Sequence, residues 1–150
     1  MAARGFAQIG AEAVHLARAS ADRFRDAEVL LGADRFASAI VMGIYALEIR
    51  LKVNVCNRLD LDGLPMAFQI HNLADLLTLA GLSRRLERVA YLRVKANWDF
   101  VISKYGESQI NNLRYGNHGE VDRADAAGLL QRIGHTDPGE GLLRWLSIQT

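Results

Sequence analysis

The chain has 150 residues, and 18 Lys and Arg against 17 Asp and Glu leave a formal charge of +1, so nucleic-acid binding cannot be argued from bulk polycation character. Half of the residues are hydrophobic and 23% are charged, a balance that excludes a disordered or collagen-like chain. A single cysteine, Cys56, excludes an intrachain disulfide framework and a cysteine-rich zinc site.

The longest uncharged runs, such as 36–47, reach twelve residues, short of the roughly 20 that span a bilayer. The first ten residues lack the continuous apolar stretch of a signal peptide. These features predict one domain over 1–150, cytoplasmic, with no membrane partner and no cofactor. Ala and Leu (21 each) outnumber Val and Ile (9 each), and there are two prolines. Strong helix formers with few breakers predict an all-α fold.

In chain order, residues 12–31 carry apolar side chains at helical spacing, and the Gly32-Ala-Asp34 stop places Asp34 to cap the next helix. Residues 35–59 are apolar almost all round. Such a helix belongs at the centre of a bundle or in a subunit interface, which predicts a homodimer held by apolar helix faces. Gly43 within it implies close approach of a neighbouring helix. Asp60 to Pro65 reads as turn. Asn72 is placed to cap a short helix through Ala80, with Gly81 as its stop. Ser83 is placed to cap a longer helix whose stripe is Leu86, Ala90, Val94, Trp98, Val101 and Tyr105. From Gly106 to Val121 periodicity vanishes, predicting an unusually long loop. Asp122 then caps a helix over 123–133, and a short amphipathic segment closes the chain over 142–148.

Several site patterns are absent: no phosphate-cradling glycine loop, no nucleophile elbow, and no metal-binding spacing among His15, His71, His118 and His135. Cys56 reads as a core thiol, Trp98 and Trp145 as core or interface anchors, and His71 as a loop histidine bonded to nearby backbone. Glu48 inside an apolar helix must be paired, and Lys52 lies at i+4 in the favourable order. The pair reads either as a structural ion pair or as a polar device at a seam or ligand cleft. The stretch Asn111-Asn112-Leu113-Arg114-Tyr115-Gly116-Asn117-His118 concentrates a guanidinium that forks phosphate, a histidine that accepts a proton near neutrality, and asparagines that orient by hydrogen bonds. Those groups suffice for phosphate binding or for metal-free RNA cleavage. The alternative is a solvated Gly/Asn-rich loop.

The order of elements resembles the HEPN domain family. The resemblance rests on Ala27-x-x-Leu30-Leu31, on Phe36-x-x-Ala39-x-x-x-Gly43-x-x-Ala46-Leu47-Glu48-x-x-Leu51-Lys52, on His71-Asn72-Leu73-x-x-Leu76, and on Arg114-Tyr115 ahead of a last helix. It implies a four- to five-helix up-and-down bundle, usually a homodimer with a cleft between subunits. Many HEPN proteins are ribonucleases with an Arg-x(4–6)-His motif, and several are toxins paired with a nucleotidyltransferase antitoxin. In this chain Arg114 and His118 are separated by three residues, with Gly116 between them. The resemblance therefore implies foremost a non-catalytic module that dimerises and binds RNA, a nucleotide or a protein partner. Its binding residues would be Glu48, Lys52, Asn111, Asn112, Tyr115 and Asn117. The alternative it implies is a metal-independent ribonuclease toxin with Arg114 and His118 as catalytic residues.

Overall fold

A computed structural model of the chain describes residues 12–115 and 120–149. Among these residues the fold is all-helical, without a strand. Eight α-helices follow in order: α1 (Ala13–Gly32), α2 (Phe36–Arg58), α3 (Leu73–Leu79), α4 (Ser83–Leu86), α5 (Leu92–Lys104), α6 (Glu107–Tyr115), α7 (Arg123–Gly134) and α8 (Leu142–Ser147). Short 3-10 turns at Met66–Phe68 and Val89–Tyr91 interrupt the connections. No helix among the described residues is long and apolar enough to cross a membrane.

The all-round apolarity of α2 is consumed inside one chain. α1 packs along it, and α3, α6, α7 and α8 close around the rest. Ile40, Leu47, Leu51 and Val55 are fully buried there, and Ala39 and Ala46 let neighbouring backbones come close. The Ser20 hydroxyl donates to the Ala46 carbonyl at 2.8 Å, tying α1 to α2. Asn54 donates to the carbonyls of Leu146 and Gln149, tying α2 to the C-terminal helix. With its faces covered in this way, α2 by itself does not call for a second subunit.

Asp34 does not cap α2. It adopts a left-handed conformation (φ 60°), which a short polar side chain tolerates, and its carboxylate pairs with Arg123 of α7. Arg35 occupies the cap position with no side-chain bond. The caps read at Asn72 and Asp122 are present. Asn72 accepts from the Asp75 N–H at 3.0 Å, and Asp122 and Asp125 form a reciprocal capping box.

Two expectations change. The helix expected to start at Ser83 breaks after Leu86, and the chain leaves the core until α5 begins at Leu92. Val89 is 80% exposed, and Ala90 is exposed as well, so the stripe skips one turn. Ser83 does not cap; its hydroxyl lies 3.2 Å from that of Thr78. The second change is the stretch read as a 16-residue loop. Its first half is helix α6, which buries only Ile110 and Leu113, one turn apart. Glu107 in its first turn and Arg114 in its last turn complement the helix dipole.

Candidate functional site

The pocket lies where α2, the start of α3, the end of α5 and α6 meet, and it encloses about 200 Å³. Ile44, Leu73, Ile102 and Ile110 form its apolar lining. Its polar groups are Glu48 from α2, His71 and Asn72 ahead of α3, Tyr105 and Glu107 around the α5–α6 turn, and Asn111 and Arg114 from α6. Folding the supposed loop into a helix is what assembles it. Residues 107, 110, 111 and 114 are three or four apart and therefore share one helix face.

Glu48 is the buried element, 3% exposed, and Lys52 beside it is 8% exposed. Lys52 Nζ donates to Glu48 Oε2 at 3.1 Å. His71 Nδ1 lies 3.1 Å from the same oxygen. Among the described residues no hydrogen bond falls on Glu48 Oε1. The expected i,i+4 ion pair is thus real and buried, and it is extended to a histidine that reaches in from the pocket's mouth. His71 was expected to bond to backbone; its partner is a side chain 23 residues away.

Burial pushes the Tyr105 hydroxyl above its ordinary pKa, so at neutral pH it is a phenol and a hydrogen-bond donor. The Asn72 side-chain oxygen is occupied by its cap bond, which leaves its amide NH₂ for other partners. Arg114 is exposed and pairs with no carboxylate among the described residues.

Of the residues expected to form the site, Glu48, Asn111 and Arg114 come together here, with Lys52 behind Glu48. Asn112 and Tyr115 lie outside the pocket, and Tyr115 is 84% exposed. Asn117 and His118 lie outside the described residues. Sequence reasoning missed Tyr105 and Glu107 and gave His71 no role. No group of three or more His, Cys, Asp or Glu among the described residues is arranged to hold a metal ion. Trp98 and Trp145 are buried in the core, Trp145 edge-on to Tyr91. Cys56 is fully buried, and burial raises its thiol pKa. No family model matches the chain, and no curated protein or solved structure matches it either.

Proposed function

We propose that the chain is a HEPN-like helical module that binds RNA through a ribose-phosphate unit seated in this pocket. The observation that carries the reading is the convergence of Arg114, Asn111, His71 and Glu48 on one cavity of about 200 Å³. Arg114 offers a planar, permanently charged fork for phosphate oxygens. Asn111 adds a hydrogen-bond donor, and the carboxylates of Glu107 and Glu48 suit the hydroxyls of ribose.

A second feature supports a chain of phosphates over a single nucleotide. Arg58, Arg84 and Arg88 are exposed and form no ion pair with the described residues, whereas Arg85 beside them donates to Gln149 Oε1 at 2.7 Å. Arg58 ends α2 and folds over Gly81, where a Cβ would lie 2.6 Å from its Nε, two residues before α4. Ten residues of α2 separate Arg58 from Glu48, about 15 Å at 1.5 Å per residue. That span corresponds to a few nucleotides.

Arg114 in the pocket also favours a second reading, a metal-independent ribonuclease toxin with His118 as its base and a nucleotidyltransferase antitoxin as partner. The homodimer implied by the family is tested by light scattering at micromolar protein, where a concentration-independent monomer mass contradicts it.

The test of binding is fluorescence anisotropy with a labelled single-stranded RNA in EDTA. Affinity is expected to fall as salt rises, because phosphate contacts release counterions. Arg114→Ala is expected to weaken binding about tenfold, the worth of a hydrogen bond to a charged group. RNA ignored by the wild type would contradict the reading and favour a module for a protein partner.

A further inference from the structure

His71 lines the pocket with a side chain that is 68% exposed, whereas the Glu48 side chain it meets is 5% exposed. A carboxylate only accepts hydrogen bonds, so the neutral ring carries its proton on Nδ1 and donates it to Glu48 Oε2 across 3.1 Å. Nε2 then holds a lone pair, and no hydrogen bond falls on it among the described residues. Lys52 donates to the same carboxylate oxygen, which keeps Glu48 an acceptor fixed on α2. The tautomer of an exposed histidine is therefore set from the core of the molecule.

The charged and titratable groups around His71 come from four helices. α2 supplies Glu48 and Lys52, which offset one another. Asp75 lies exposed in the first turn of α3, outside the pocket lining. Tyr105 at the end of α5 is a neutral phenol, because burial raises its pKa. α6 supplies Glu107 and Arg114, of opposite sign. With a neutral His71 the charges of Glu48, Lys52, Glu107 and Arg114 cancel. Histidine is the side chain whose ordinary pKa places its charge change between about pH 5 and 8. Protonation of His71 makes the pocket net positive. It also turns Nε2 from a lone pair, which repels a phosphate oxygen, into a charged donor that bonds to it. The Nδ1–H bond to Glu48 is made in both states.

We propose that Glu48 and His71 form a proton switch that sets the affinity of this pocket for a phosphodiester, tight with His71 protonated and weak with it neutral. The inference rests on the ribose-phosphate reading of the site and concerns its regulation. Glu48 is what makes the switch work. A histidine free to change tautomer offers a phosphate an N–H even from its neutral ring. Held by Glu48, the neutral ring has that proton committed at Nδ1 and turns a lone pair to the ligand. An anion favours the protonated ring, so the added affinity is complete below the range in which His71 titrates and is lost as pH rises through it. Arg114 keeps its charge throughout, so binding weakens at high pH without vanishing. His71 touches the ligand, and Glu48 is a positioning residue that acts through it.

The experiment measures the affinity of the full chain for a labelled uridine oligoribonucleotide by anisotropy, in EDTA and at constant ionic strength. It runs from about pH 5.5 to 8, which spans the ordinary histidine value near 6.5. Phosphodiesters and uracil keep their charge across that range, so any change belongs to the protein. Wild type is expected to lose about tenfold in affinity from the acid end to the alkaline end, the worth of one hydrogen bond to a charged group. His71→Gln is expected to bind with the same affinity throughout. His135→Gln, outside the pocket, is expected to keep the full dependence. Glu48→Gln is expected to bind more tightly than wild type at the alkaline end and to depend less on pH. Nitrogen-15 NMR at that end is expected to show the His71 ring as the Nδ1–H tautomer in wild type and as a mixture in Glu48→Gln. If Glu48→Gln fails to fold, the His71→Gln profile and the wild-type tautomer decide alone. RNA bound by the wild type with one affinity across the range overturns the switch and leaves the binding reading standing. Absence of RNA binding at every pH overturns the binding reading and this inference with it. A full pH dependence in His71→Gln, or an Nε2–H tautomer in wild type, overturns the switch alone.

Discussion

Gly43 of α2 faces Leu130 of α7 so closely that a Cβ on the glycine would lie 2.6 Å from Leu130 Cδ2. The glycine costs α2 about 1 kcal/mol of helix propensity, and the return is the approach of α7 to the central helix. Gly43→Ile is accordingly expected to destabilise the fold by about 1–3 kcal/mol through overpacking. Urea melts check this, and an unchanged midpoint would show that the helix contact has slack.

That contact belonged to the legible part of the fold. A glycine inside an apolar helix announces a close neighbour, and a polar residue ahead of an apolar run announces a cap, as at Asn72 and Asp122. The Glu48–Lys52 pair followed from its spacing and from the absence of other polar groups around it. The illegible parts have a common physical cause: short elements held by tertiary contacts. Two buried side chains, Ile110 and Leu113, suffice to anchor α6, too few for a period to stand out among asparagines and glycines. Conversely, the stripe that begins at Leu86 keeps its period across a turn where the chain swings out and exposes Val89. The bond from His71 to Glu48 joins elements far apart in sequence, so no local pattern encodes it, and the pocket went unseen for that reason.

Removing one member of the buried pair leaves the other charged and unpaired. Glu48→Ala is expected to cost about 3–5 kcal/mol, whereas replacing Glu48 and Lys52 together by apolar residues of similar volume costs far less. Chemical denaturation of the single and double variants checks the difference. A loss under about 1 kcal/mol for Glu48→Ala would match a surface pair instead.

The capping box at the start of α7 makes a pH-dependent contribution. Asp125 is held below its ordinary value of 3.8, foremost by the Asp122 backbone N–H and further by Lys104. A depressed carboxylate stabilises the fold above its unfolded value, and that contribution is lost as pH falls through the folded one. Acid titration is therefore expected to show a loss of stability below pH 3.8 that is smaller in Asp125→Asn. Asp122→Ala is expected to cost about 0.5–2 kcal/mol at neutral pH. Thermal melts across pH check both.

Cys56 is fully buried in α2, and its thiol is held protonated by burial. Only the thiolate reacts at an appreciable rate. Modification by a thiol reagent is expected to require opening of the fold, so its rate should rise with denaturant and match global unfolding. Immediate labelling of the native protein would contradict that burial.

RNA binding at the pocket is tested most directly by NMR. The wild-type chain, labelled with nitrogen-15, is titrated in EDTA with a short single-stranded RNA while side-chain and backbone signals are followed. Saturable shifts are expected, centred on the His71 ring, the Asn111 side-chain amide and the Arg114 guanidinium, with weaker ones at Arg58, Arg84 and Arg88. Shifts confined to other surfaces, or none at saturating RNA, would contradict binding at the pocket.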